Sequence, residues 1–138
     1  MKRYEQIPHT ADLAAKVYGK DLPELFQNAA FAMFDMMADL EGIKPEEPVD
    51  IEVQAQDKED LLVSWLNEIL YASYIKKMLF TEFQIKALDG GKLTAVAKGQ
   101  NIENEAKRIQ SEIKAATYHD LEIKETEAGY EVTIVFDI

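Results

Sequence analysis

Two apolar stripes of helical period dominate this chain and limit what it can fold into. In residues 22–39, Leu22, Leu25, Phe26, Ala29, Ala30, Met33 and Met37 recur at the spacing of one helix face. In residues 58–77, Leu61, Leu62, Trp65, Leu66, Ile69 and Leu70 do the same. Each stripe is preceded by an aspartate, Asp21 or Asp57, suited to capping the N–H groups of a first turn, and Pro23 sits where a first turn tolerates proline. Around the stripes the period is two. Leu13, Ala15 and Val17 alternate with Ala14, Lys16 and Tyr18, and Val49, Ile51, Val53 and Ala55 alternate with Asp50, Glu52, Gln54 and Gln56. Residues 3–7 form a short strand that Pro8 closes, because proline has no N–H to donate. Runs at 81–87 and 92–98 flank Asp89-Gly90-Gly91, and runs at 121–125 and 130–136 flank Ala128-Gly129; both pairs predict hairpins. Residues 41–48, with Gly42, Pro45 and Pro48, are a loop. Residues 100–118 read two ways: Ile102, Ala106, Ile109, Ile113 and Ala116 fit a helix, and the stretch equally fits a loop leading into an extended 113–119 segment. The expected architecture is α+β, a single domain over residues 1–138 with a mainly antiparallel sheet and two long helices packed on it.

Several residues on those helices have two readings. Phe31, Phe34 and Met36 widen the first stripe beyond what one sheet face needs. That predicts either a helix covered on two sides or a Met/Phe-rich surface for a partner. Asp35 and Asp39 fall four apart on the remaining side, a spacing at which like charges repel by roughly a few tenths of a kcal/mol. They form a solvated face or meet a basic group on a partner. Trp65 reads as a core anchor, and Asn67 and Glu68 as ordinary surface residues unless the fold brings them to a site.

Composition excludes whole classes of function. The chain has no cysteine, which removes disulfide frameworks, thiolate metal sites and cysteine nucleophiles, and fits the cytoplasm. No apolar run approaches the roughly 18 to 20 residues that span a bilayer, so no membrane association is expected. With 26 acidic and 15 basic residues the net charge is −11, and Arg3 and Arg108 are the only arginines. Such a surface is repelled by nucleic-acid phosphates and attracted to a basic protein. Strong nucleic-acid binding by this chain alone is therefore not expected.

Two stretches carry candidate chemistry. His9-Thr10-Ala11-Asp12 precedes the 13–18 strand, and Asp137-Ile138 ends the 130–136 strand. If those strand ends lie side by side, Asp12, Asp137 and the α-carboxylate of Ile138 meet. Three carboxylates repel and raise one another's pKa unless a cation intervenes, and Ca²⁺ or Mg²⁺ prefers such oxygen ligands. The plainer alternative makes Asp12 a turn or cap residue and the C-terminus a frayed acid. The second stretch is Lys114-Ala115-Ala116-Thr117-Tyr118-His119, where small residues are flanked by a lysine, a phenol and an imidazole. It reads as a reactive strand edge, with Lys114 for an anion and His119 for a proton, or as a tightly packed sheet segment with solvated ends.

Only His9 and His119 are histidines, and the chain has no HExxH, GxxxxGK[ST] or GxSxG motif. A hydrolase using His9, Asp12, Asp137 and a metal-bound water lacks recognisable oxyanion and phosphate-clamp groups.

Taken together these residues resemble the archease family. The likeness covers nearly the whole chain: Tyr4-Glu5 with His9-Thr10-Ala11-Asp12, Leu25-Phe26-Gln27-Asn28-Ala29-Ala30 with Ala32-Met33-Phe34, Leu61-Leu62 with Trp65-Leu66-Asn67-Glu68, the 114–119 hexapeptide, and Phe136-Asp137-Ile138. The resemblance implies a small acidic cytosolic accessory of the RNA ligase that joins 2′,3′-cyclic-phosphate or 3′-phosphate ends to 5′-hydroxyl ends, as in tRNA splicing. It implies a non-catalytic activator that promotes guanylylation of the ligase, a step using GTP and divalent metal, and supports multiple turnover. It also implies a divalent-metal site, calcium foremost with Mg²⁺ or Mn²⁺ as alternatives, at Asp12, Asp137 and Ile138. This coincides with the carboxylate cluster expected from the chain ends. His9, Asp35, Asp39, Lys114 and His119 are the candidates for facing the ligase. The rival classes are a chaperone-like interaction module and the metal-dependent hydrolase.

Overall fold

A computed structural model describes residues 2–9, 12–89 and 91–138. Thr10 and Ala11 of the tetrapeptide and Gly90 of the first hairpin tip lie outside the described residues. The first helix, α1, spans Leu22–Met37; Asp21 Oδ1 accepts from Glu24 N at 2.9 Å, and Glu24 Oε1 accepts from Lys20 N at 3.1 Å. The second helix, α2, spans Lys58–Lys76, with Asp57 Oδ1 accepting from Asp60 N at 2.8 Å. Both caps satisfy first-turn N–H groups that would otherwise lack partners.

The strands form two antiparallel sheets. One contains β1 (Tyr4–Ile7), β2 (Leu13–Gly19), β6 (Ala115–Ala116), β7 (Lys124–Thr126) and β8 (Gly129–Asp137), ordered β1-β2-β8-β6 with β7 also on β8. The other contains β3 (Glu47–Gln54), β4 (Met78–Leu88) and β5 (Lys92–Asn101), ordered β3-β5-β4. The β4/β5 hairpin turns where Asp89 Oδ1 accepts from Gly91 N and Lys92 N at 2.9 and 2.8 Å. Gly129, at φ +136, starts β8 so close to the Gly19 carbonyl that a Cβ would lie 2.3 Å from that oxygen.

α1 packs on β2 of the first sheet and β4 of the second, so it is covered on two sides. Phe34 is fully buried against Phe80 and Phe83, and Met36 is buried as well. The Phe31/Phe34/Met36 surface is therefore interior, apart from a partly buried Phe31 that carries the Arg3 guanidinium 3.8 Å above its ring. Asn28 is buried: its Nδ2 donates to Tyr18 O at 2.7 Å, and its Oδ1 accepts from Arg3 Nε at 2.9 Å. Trp65 is the expected core anchor, its Nε1 donating to Phe26 O at 3.0 Å.

The sequence and the structure differ in two places, and in a third, residues 100–118, the structure takes the second of the two readings, a loop leading into an extended segment. α1 ends at Met37, leaving Asp39 beyond the helix, so the expected repulsion between Asp35 and Asp39 does not arise. Residues 100–118 contain no long helix. β5 runs to Asn101, one 3₁₀ turn spans Ala106–Arg108, and the chain then extends to β6. The reason lies in what this stretch closes: Gln110 N and Ser111 N both donate to Met37 O, at 2.8 and 3.0 Å, and cap the end of α1. Ile102 and Ile113 are buried singly, as plugs rather than as a stripe. The last hairpin is shorter than expected, because Ile123 N donates to Glu59 Oε2 at 3.0 Å and residues 121–123 stay outside β7.

Candidate functional site

The strand ends do meet. β2 pairs with β8 so that Leu13 faces Phe136 and Ala14 faces Val135. Asp12 directly precedes the first paired residue of β2, and Asp137 directly follows that residue's partner on β8. Ala15, Val17, Ile134 and Phe136 point into the core, while Ala14, Lys16, Thr133 and Val135 take the other face. Ile138 follows Asp137 directly and is 46% exposed. His9 Nδ1 lies 3.4 Å from Asp12 Oδ2.

The 114–119 stretch forms the other side of this corner. Ala115 pairs with Asp137 and Ala116 with Phe136, and Lys114 N donates to Asp137 O at 2.8 Å. Val135 O accepts from both Thr117 N and Thr117 Oγ1, at 3.0 and 2.8 Å. On the opposite edge Asn67 of α2 brackets Ala116, its Nδ2 donating to Ala116 O at 3.2 Å and its Oδ1 accepting from Ala116 N at 2.8 Å. The two alanines are small because β8 and α2 both press on them. This is the tightly packed sheet segment, with solvated ends. Tyr118 donates its hydroxyl to Asp60 Oδ1 at 2.5 Å, which raises the phenol's pKa and lowers that of the carboxylate. His119 Nε2 lies 3.3 Å from Asp120 Oδ2, and its ring meets the His9 ring edge-on at a centroid distance of 5.7 Å.

The corner is therefore a line of groups, Asp12, His9, His119 and Asp120, near the end of β8. Among the described residues no three His, Asp or Glu side chains cluster as metal ligands.

The Archease protein family (MTH1598/TM1083) matches residues 4–138. The chain belongs to the archease family. Protein archease of Methanosarcina mazei is 36% identical over 99% of this chain and 97% of its own length. Protein archease of Methanopyrus kandleri is 36% identical over 98% and 99%. The solution structure of Methanobacterium thermoautotrophicum protein 1598 superposes with a TM-score of 0.86 at 35% identity, covering 100% of both chains. The crystal structure of a Thermotoga maritima archease, described as a possible chaperone, shares the fold with a TM-score of 0.65 at 23% identity, covering 97% of this chain and 96% of its own.

In this member of the archease family the expected site residues divide into two groups. His9, Asp12, Lys114, His119, Asp137 and Ile138 gather at one corner of the first sheet. Asp35 and Asp39 are engaged elsewhere. Asp35 Oδ2 accepts from Tyr4 Oη at 2.6 Å, and burial together with that bond raises the Tyr4 pKa. Asp39 Oδ1 accepts from Glu41 N at 3.0 Å. No hydrogen bond or ion pair among the described residues links either one to the corner. Sequence reasoning missed Asp120 and the grip of Asn67. An aspartate directly after His119 was the available signal for the first, and it sits at φ +48, where aspartate is better tolerated than most residues. Nothing local pointed to Asn67, whose partner is 49 positions away.

Among the described residues no helix is long and apolar enough to cross a membrane.

Proposed function

We propose that this chain is a protein cofactor of the RNA ligase that joins 3′-phosphate or 2′,3′-cyclic-phosphate ends to 5′-hydroxyl ends. It binds the ligase, promotes its guanylylation with GTP, and supports multiple turnover in tRNA splicing and RNA repair; it does not itself turn over a substrate. Family membership across residues 4–138 carries the reading. The net charge of −11 supports it, because an acidic helper is drawn to a basic RNA-handling protein and not to RNA.

The oxygen-only donor set of Asp12, Asp137 and the Ile138 carboxylate suits a hard dication, Ca²⁺ foremost, with Mg²⁺ or Mn²⁺ as alternatives. When bound, the ion supplies the positive charge that lets three crowded carboxylates stay ionised. The chain's own contribution is positioning. Asn67 holds β6, β6 holds the Asp137 carbonyl through Lys114 N, and the β2/β8 register brings Asp12 alongside. Lys114, His9 and His119 lie at the rim of that corner and are the side chains offered to the ligase.

The test is ligase guanylylation and multiple-turnover sealing with the wild type, Asp12→Ala, and a variant extended beyond Ile138. The wild type should accelerate both steps, and the two variants should lose at least tenfold. Equal stimulation by all three would remove the carboxylate corner from the activation. Asp35→Ala and Asp39→Ala in the same assay decide whether those residues also serve the ligase.

A second reading has one observation in its favour. Tyr71 and Ile75 of α2 are 63% and 64% exposed, with Tyr74 beside them, an apolar flank of the kind a chaperone-like module presents to clients. Suppression of aggregation of unrelated proteins, without an effect on ligase turnover, would favour it. Hydrolysis of phosphoesters by the purified chain would favour the metal-dependent hydrolase instead.

A further inference from the structure

The large apolar side chains exposed among the described residues are Tyr71, Tyr74 and Ile75 of α2, with Tyr118 and Ile138. They gather along one seam. Tyr71, Tyr74 and Ile75 stand within one turn of each other on the uncovered flank of α2. The 113–118 segment runs beside that flank, tied to it by Tyr74 Oη donating to Ile113 O, by Asn67 on Ala116 and by Tyr118 Oη on Asp60. Ile138 directly follows Asp137, the partner of Ala115 in that segment. Tyr74 also lines a cavity of about 310 Å³, together with Ser73, Met78, Ile102, Ala106 and Ile109. The hydroxyls in its wall are already committed, Ser73 Oγ donating to Met78 O at 2.5 Å and Tyr74 Oη to Ile113 O. Lys77 and Glu103, also in the wall, pair with each other at 3.5 Å. What the cavity offers an occupant is therefore apolar. A contiguous exposed patch rich in tyrosine and rimmed by charge marks a protein contact.

Charge and geometry decide what covers this patch. The rim is mixed, with Glu68 and Glu112 beside Lys76 and Lys114, so the net charge of −11 sets the sign: it repels a second copy of this chain and attracts a basic protein. A strand has no free edge to join here, because Asn67 already holds both the N–H and the carbonyl of Ala116. A helix does have a place. Tyr71, Tyr74 and Ile75, at i, i+3 and i+4, form a ridge of the kind that fits between the side chains of another helix. We propose that this flank and the cavity beside it dock a basic amphipathic helix of a partner protein, with one apolar side chain in the cavity and its neighbours on Tyr71 and Ile75. The inference holds whether or not that partner is the ligase. It is narrower than a surface for clients at large, because it fixes the sign and the periodicity of what is bound.

The test is a titration of the isotope-labelled full-length chain with a synthetic peptide of about 18 residues, built from leucine and lysine with leucine at i, i+3, i+4 and i+7. Amide shifts should fall within residues 68–78 and 102–118 and leave the outer faces of both sheets unmoved. Two control peptides, one with the same residues in an order that breaks the stripe and one with glutamate for lysine, should each bind about tenfold more weakly. Tyr71→Ser and Ile75→Ser should each weaken binding of the first peptide about tenfold, and so should Ala106→Phe, which crowds the cavity. All three positions are exposed, so these variants keep the fold, and unchanged amide shifts away from the flank check it. Wild-type affinity in the three variants would overturn the proposal, as would shifts centred on another face or no binding by any peptide. Equal binding of the glutamate peptide would refute the sign, and equal binding of the reordered peptide would refute the helix. Self-association of the chain through Tyr71 and Ile75 would make a second copy the occupant and equally overturn it.

Discussion

α1 and α2 begin alike and end in different circumstances. Each is capped by an aspartate that accepts from the N–H three residues on, at 2.9 and 2.8 Å. Each also accepts a tyrosine hydroxyl, at Asp35 in α1 and at Asp60 in α2. α1 is enclosed by both sheets, and even its asparagine is buried. α2 also meets both sheets, β3, β4 and β5 of one and β6 of the other, but it leaves one flank uncovered. Its uncovered side carries Tyr71 and Ile75, and the edge between holds the 113–118 segment through Tyr74 to Ile113 O, Asn67 to Ala116 and Asp60 to Tyr118. The enclosed helix builds the core, and the half-covered one positions the strand that lies against the site.

The comparison predicts the largest loss on α1. Phe34→Ala empties a site between Phe80 and Phe83 and should cost about 3–5 kcal/mol, read as a lower urea midpoint at unchanged slope. A loss below about 1 kcal/mol would mean that the enclosure of α1 is loose. Next comes Asn67→Ala on α2, which leaves Ala116 N and O without their side-chain partner at a cost of about 1–3 kcal/mol. Amide exchange at Ala116 should quicken while the amides of α1 do not. Asn67→Asp, which can accept but not donate, should fall between. The caps should not distinguish the helices: Asp21→Ala and Asp57→Ala should each cost about 1 kcal/mol.

These contrasts also mark what the sequence could disclose. Both helices were legible because stripe and cap agreed, and both hairpins because turn residues separated alternating runs. The meeting of the β2 start with the β8 end was legible because each bounds an alternating run. Residues 100–118 were not, since Ile102 and Ile113 are buried one at a time and an isolated plug has no period. The spacing of Asp35 and Asp39 misled because α1 stops at Met37, where its last carbonyl is capped by residues 110 and 111 from far along the chain. The meeting of His9 with His119 depends on two loops at one corner, and no local pattern records a loop's long-range neighbour.

A smaller effect separates the two phenols. Burial first, and the bond to Asp35 second, raise the pKa of Tyr4, whereas for Tyr118 the bond to Asp60 comes first and burial second. A raised folded pKa gives stability that is whole below about pH 10, where an unfolded tyrosine titrates, and that drains away as pH climbs above it. Tyr4→Phe should therefore flatten the alkaline decline in stability, and Tyr118→Phe should flatten it less. Equal flattening would mean that the two helices hold their phenols alike.

The smallest effect on stability, and the sharpest test of the contrast, is expected on the uncovered flank of α2. Tyr71→Ser and Ile75→Ser remove exposed side chains, so each should change stability by no more than about 0.5 kcal/mol. Loss approaching that of Phe34→Ala would mean the flank is covered in solution, and the distinction between the helices would fail. If the fold is untouched, the same variants report on function. A fall in ligase stimulation would extend the contact surface from the carboxylate corner along α2. Unchanged stimulation with lost suppression of aggregation would instead assign the flank to clients, because substitutions that leave the folded chain intact can act only through what binds there.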